Sequence, residues 1–365
     1  MTPTATTSRI ALRTWVTVWS LLLALAVVGI ASVCLGVADR GTFDFSPIEA
    51  TRALVGDATA DAYLVIIYYR LPATLVAMLA GACLALAGAL SQGIFRNPLA
   101  APSVIGITTG GGLGGIVSIL LHLPESPAVG LALITAPAWL LTPACAFVGA
   151  SLTALLVYRL ATRRGDTHVP TLLLAGIAVT ALTGALSSLI MSISIGRFAT
   201  YQRMFLWQMG GLEYLHWEHV AMLVPGLLLG SIGAVMMARE LNMLALGERS
   251  AASLGVDTQR VKTRCLLLVA LMAGSAVSAI GLVGFIGLVV PHIMRRLVGP
   301  DHRILLPACA LGGALFLTLM DLLQRLVVVR LLHLPELRVG ALMGLIGGAF
   351  FVWLLVRQRA RDSAV

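Results

Sequence analysis

The sequence predicts an all-α polytopic membrane protein of about ten transmembrane helices, formed as one membrane domain over residues 1–365. Three observations predict it. Of the 365 residues, 59% are hydrophobic and the mean hydropathy is +0.96. Only 11% are charged, against about 25% in a soluble globular chain. The apolar residues also fall into long runs, and crossing a hydrocarbon core of about 30 Å takes about 20 helical residues.

The first run, Trp15 to Ala38, follows Arg9 and Arg13 as a signal peptide's would. It is too long for the apolar core of such a peptide and no small-residue cleavage site follows, so it reads as the first span. Further spans fall at about 72–94, 103–121, 131–158, 170–195, 218–238, 263–282, a short 284–297, 304–328 and 339–356. Connections between ten spans alternate sides. With the N-terminus inside, 17 of the 25 basic residues lie on the side that carries both termini. Basic residues concentrate on the cytoplasmic side, so both termini are expected there. Two polar connections are long, 39–71 outside and 239–262 inside. In the inner one, Gly247 and Gly255 bracket Glu248 to Leu254. A carboxylate at a helix start and a glycine at a left-handed C-terminal cap predict a short helix exposed to a partner.

The stretch from Gly281 to Arg303 packs glycines, two prolines, two histidines and three arginines among apolar residues. A helix over Gly284 to Leu297 would be roughly 21 Å long, too short for the hydrocarbon core. Interrupted segments at membrane depth survive where protein or a cavity covers them, and they point to a transport pathway. Gly284, Gly287, Pro291 and His292 are the pathway candidates, His292 in a packing or hydrogen-bonding role rather than a proton relay.

Other chemistries find no support. The basic residues stand singly or in twos and threes at segment ends, without the interleaved aromatics of a nucleic-acid surface. Cys34, Cys83, Cys145, Cys265 and Cys309 lie apart in or beside apolar runs and form no Cys-x-x-Cys, so they read as small buried hydrophobes. Gly110, Gly112 and Gly115 match G-x-G-x-x-G formally, but no strand precedes them. Gly110 with Gly114, Gly111 with Gly115, and Gly340, Gly344 and Gly348 instead permit close helix packing in lipid. His216, Glu218 and His219 beside Glu213 form a weak metal candidate in what otherwise reads as an interfacial aromatic belt of Trp207, Tyr214 and Trp217. Asp321 and Arg325, four residues apart, can pair on one helix face or line a pathway. No catalytic constellation is found.

Several segments together resemble the permease subunits of ABC importers for iron-siderophores, haem and cobalamin, the FecCD type. They are Arg70-Leu-Pro72, Gly81 to Gly88, Gln92 to Ala100, Leu172 to Gly176, Trp207 to Gly211, Leu241 to Glu248, Ser253 to Gly255, Gly284 to His292, Gly299 to Arg303 and Glu336-Leu337. The matches run over about residues 64 to 356. The resemblance implies a cobalamin-importer-permease-like fold of ten helices with short or broken helices and short cytoplasmic coupling helices. It implies two cytoplasmic ATPase subunits, which bind the ATP and Mg, so that no cofactor belongs to this chain. It further implies a periplasmic or lipid-anchored substrate-binding protein and a second permease copy. By motif, Leu241, Leu244, Gly247, Glu248, Ala251, Leu254 and Gly255 would couple to the ATPase. Arg70 and Arg325 would meet the binding protein. The family often carries a second arginine three residues after the first, where this chain has Ala73, and Arg338 departs from the family's proline; Arg338 or Arg330 would supply the missing charge. The cargo expected is a metal chelate, ferric siderophore first, then haem, then cobalamin, carried across a bacterial inner membrane. The alternative is a secondary transporter with inverted repeats, which needs no coupling helix.

No phosphate-binding loop G-x-x-x-x-G-K-[ST] occurs in the chain. The purified chain is expected to hydrolyse no ATP until a separate ATPase subunit is added, as a phosphate-release assay with and without that subunit reads directly.

Overall fold

The computed structural model describes residues 3–35, 37–38, 41–42, 44–121, 138–163, 166–167, 169–213, 215–333 and 337–362. Their helices are α1 Pro3–Cys34, α2 Pro47–Val55, α3 Ala60–Leu64, α4 Leu71–Phe95, α5 Ile107–Leu121, α6 Ala138–Ala161, α7 Val169–Ile193 and α8 Phe198–Met209. They continue with α9 Trp217–Met236, α10 Ala238–Ala245, α11 Glu248–Ser253, α12 Thr258–Ile280, α13 Ile286–Val298, α14 His302–Leu323 and α15 Val339–Asp362. Two-residue antiparallel pairings join Val37–Ala38 to Gly41–Thr42 and Thr162–Arg163 to Asp166–Thr167.

Seven helical stretches among the described residues are long and apolar enough to cross a membrane, from Thr14–Cys34 to His302–Leu331. The shorter apolar helices α5 and α15, with the thirteen-residue α13, complete ten segments at the expected places. The protein is an all-α, multi-pass membrane protein. Two expectations shift. The connection 39–71 is largely helical, because α3, a π-helical stretch Val65–Arg70 and α4 run on as one helix from Ala60 to Phe95. The twelve-residue α8 falls in what the sequence left as a connection. The first residues of the expected 131–158 span, Tyr214 and Glu336 lie outside the described residues.

Local chemistry explains several ends. Ser46 and Glu49 form a reciprocal capping box on α2, with Pro47 in its first turn and Gly56 left-handed at its end. At α11 the Gly255 N–H donates to the Ala252 carbonyl and the Val256 N–H to the Ala251 carbonyl. With Gly255 at φ +84°, this is the paired C-terminal closure that the left-handed glycine makes possible.

α4 carries apolar or small residues on every face, and from Ala80 to Phe95 every residue is buried. Such a helix belongs in a protein interior, and α9, α12, α13 and α14 pack around it. Apolar side chains gain little by leaving lipid for one another, so membrane helices associate through close backbone approach at small residues. Gly81 lies against the Gly313 carbonyl of α14, and Gly88 against the Gly287 carbonyl of α13. α5 meets α6 the same way, through Gly110 against Gly149 and Gly114 against the Cys145 carbonyl. Gly340 packs on the Met209 and Leu282 carbonyls, whereas Gly344 and Gly348 face open space within this chain.

A side chain at position 88 has nowhere to go, because the Gly287 backbone fills its place. Gly88→Val is expected to lower stability by roughly 1–3 kcal/mol or more, seen as a fall in melting temperature in detergent. Gly344→Ala, which meets nothing, is expected to leave it unchanged.

Candidate functional site

The expected coupling residues divide into an anchored set and a displayed set. Leu241 and Leu244 of α10 and Ala251 of α11 are fully buried. Leu246 and Leu254 stand out at 69% and 60% exposure. Leu246 is a residue the sequence reading passed over, since an apolar residue beside a glycine carries no marker of exposure. The Gly247 backbone, at φ +112°, turns the chain between the two helices. α10 is further keyed to the start of α14: Asn242 Nδ2 donates to Asp301 Oδ1 at 2.6 Å, and the His302 N–H donates to Asn242 Oδ1 at 2.9 Å. Asp301 also accepts from the Arg303 N–H. Burial works against ionisation of the Asp301 carboxyl, but these hydrogen bonds prevail and hold it below the usual range. Glu248 reaches Lys262 Nζ at 2.7 Å and lies 3.7 Å from an Arg96 nitrogen.

The interrupted segment is helical from Ile286 to Val298, about 20 Å long. The break runs from Gly281 to Phe285 between α12 and α13; Gly284 lies within it, and Gly281 and Phe285 are at positive φ. Phe285 holds the left-handed conformation at +66°, uncommon for a bulky residue. Gly287 serves close packing against Gly88. Pro291 removes the N–H that would bond the Gly287 carbonyl four residues back. The buried Gln92 of α4 supplies a donor instead, its amide at 3.5 Å from that carbonyl and 3.4 Å from the Leu288 carbonyl. Gln92 Oε1 accepts from Arg295 at 3.0 Å. His292 meets Phe350 of α15 edge-on at 5.7 Å between ring centres. Gln92 and Arg295 were missed as site residues; a lone amide in an apolar span was the available clue.

At the opposite end, Arg70 and Arg325 occupy the two π-helical stretches, Val65–Arg70 and Gln324–Leu331. Both turn inward onto the end of α1, whose last carbonyls lack helical partners. Arg70 donates to the Val33 and Cys34 carbonyls at 3.1 and 2.8 Å and lies over the Phe45 ring. Arg325 donates to the Ser32 carbonyl at 3.2 Å, the Ser32 hydroxyl at 2.6 Å and Asp321 at 2.5 Å. Cations at a helix C-terminus are favoured by its dipole. Arg338 pairs with Glu213, and burial pushes the Glu213 carboxyl above its usual range against the pull of Arg338. This pair lines a cavity of about 390 Å³ with Trp207, Arg203 and His219. Arg330 is exposed and pairs with Asp44 at 2.8 Å.

The aromatic and histidine cluster has a structural task. Pro72 offers no N–H to the carbonyls preceding it in the helix. Trp217 Nε1 donates to the Ile67 carbonyl at 3.0 Å, and the His216 ring lies 3.5 Å from the Tyr68 carbonyl. No metal-holding group of three or more such side chains occurs among the described residues.

The Asp321–Arg325 pair is largely buried, so removing one partner strands the other. Arg325→Gln is expected to cost roughly 3–5 kcal/mol of stability, and Asp321→Asn combined with it less than the sum of the two. Denaturation of the three variants measures the difference.

The chain is 37% identical to a hemin transport system permease protein of Yersinia pestis over 94% of this chain and 97% of that one. It is 38% identical to a cobalamin import system permease protein of Halobacterium salinarum over 91% and 81%. A solved structure, described as an inward-facing conformation of a metal-chelate type ABC transporter, superimposes with a TM-score of 0.76 at 27% identity. It covers 94% of this chain and 99% of that chain. The FecCD transport family matches residues 24–357, and the chain belongs to that family.

Proposed function

We propose that this chain is the permease subunit of a binding-protein-dependent ABC importer for a metal chelate. The observation that carries the reading is the short capped helix α11, with Ala251 turned in and the exposed Leu246 and Leu254 flanking its two ends, on a chain of the FecCD family. Apolar residues on a small exposed helix suit the groove of a partner. The partners are two cytoplasmic ATPase subunits at 239–262, a second permease copy, and a substrate-binding protein at the opposite end. Residues 1–365 act as one permease domain, with both termini in the cytoplasm of a bacterial inner membrane. Relatives named for hemin and cobalamin support a chelate as cargo. Ferric siderophore, haem and cobalamin, in that order, are the cargoes to try.

Arg70, Arg325 and Arg338 were expected to dock the binding protein. The first two also bond to the end of α1, Arg338 pairs with Glu213 and Arg330 with Asp44; Arg330, exposed at the surface, joins Arg338 as the docking charge nearest solvent. The Gly287–Pro291–His292 segment contributes to the pathway as a rigid wall, because Gln92 and Gly88 fix it to α4.

Leu254→Asp is expected to abolish most ATP-driven uptake of the chelate while the permease remains folded and inserted. Unchanged uptake together with unchanged co-purification of the ATPase would contradict the coupling role.

A further inference from the structure

Lys262 is the only lysine in the chain, and its side chain is 3% exposed. It stands in the first turns of α12. Its ammonium donates to Glu248 Oε2 at 2.7 Å and to the Thr167 carbonyl at 3.2 Å. Gln259, one turn earlier, accepts from the Thr167 N–H at 2.8 Å. The other Glu248 oxygen faces Arg96, which ends α4 in the left-handed conformation. Four elements therefore meet at the Lys262–Glu248 pair: α12 and the pairing that contains Thr167 at the buried lysine, α11 at Glu248, and α4 through Arg96.

A buried ammonium is tolerated only when paired and hydrogen-bonded. A helix of six residues such as α11 has no independent stability. Its direction must come from what ties it down, and apart from the buried Ala251 those ties run through Glu248. We propose that Lys262 is a positioning residue that clamps α11 through Glu248, so that α11, α12 and the end of α4 move as one body. The clamp concerns the same loop as the proposed coupling role and rests on that reading.

The test compares the full-length chain with Lys262→Met, which keeps the apolar stem, and with Glu248→Gln, which keeps the shape should the first fold poorly. Hydrogen exchange of the permease in lipid nanodiscs is expected to quicken about tenfold or more over 248–253, the scale of a lost charged hydrogen bond. Exchange beyond Cys265 in α12 is expected to hold. With the co-purifying ATPase bound to the Lys262→Met permease, chelate moved per ATP hydrolysed is expected to fall severalfold while ATPase binding persists. Unchanged exchange in α11, faster exchange through every helix, or faster exchange in α11 with an unchanged transport ratio would each overturn the clamp. Should the unaltered complex show no ATP-driven uptake, the proposed function fails, and the exchange result still decides whether the clamp exists.

Discussion

The close approach of α4 to α13 and α14 at Gly88–Gly287 and Gly81–Gly313 governs the rest of the architecture. In lipid, apolar side chains gain little by leaving the solvent, so close backbone contact and hydrogen bonding must hold helices together. Small residues along α4 allow backbones to meet, and α9, α12, α13 and α14 take their places around it. The broken segment before α13 is consequently a packed element of the centre. Gln92 sits at that crossing and joins the Gly287 carbonyl, four residues before Pro291, and Arg295 to α4.

Proline at membrane depth creates an accounting problem, since a carbonyl without a partner in hydrocarbon costs several kcal/mol. The chain answers it twice with a side chain from another element. The Gln92 amide serves the Gly287 carbonyl behind Pro291, and the Trp217 indole serves the Ile67 carbonyl before Pro72. Arg70 and Arg325 do the same for the end of α1. Residues that look like pathway, docking or metal candidates in the sequence are thereby bound into closing the backbone. This leaves the two ends of the protein with different characters. One end is knitted by hydrogen bonds from Arg70 and Arg325 to the end of α1 and by the pairs Asp321–Arg325, Asp44–Arg330 and Glu213–Arg338, and the other displays Leu246 and Leu254 on an anchored loop.

In the proposed importer, force comes from a separate ATPase and must be delivered to a part that cannot slip. The loop 239–262 meets that requirement physically. Leu241 and Leu244 are buried, Asn242 is bonded to Asp301 and to the His302 N–H, and Glu248 is bonded to Lys262. A push on the exposed leucines would reach α12 through the Glu248–Lys262 pair, α14 through the Asn242 hydrogen bonds and the end of α4 through Arg96, 3.7 Å from Glu248.

The sequence by itself determined the fold class, the ten apolar segments, the family and the capped helix Glu248–Ser253. Those features follow from composition, run length and local backbone preference, which act over a few residues. Gly255 needed only its own left-handed turn, and Gly88 only its lack of a side chain. Tertiary structure alone decided what the isolated polar residues do. Arg70 reads as an outer-rim charge and Arg325 as a rim charge or the partner of Asp321; the bonds both make to the end of α1 appear only once the fold places α1 between them. His216 and Trp217 read as ligands or a belt until the carbonyls before Pro72 are found beneath them. Lys262 lies 14 residues from Glu248 and 95 from Thr167. A charge buried in a membrane protein takes its meaning from the partner that the fold brings to it, and that partner is set by packing between distant segments.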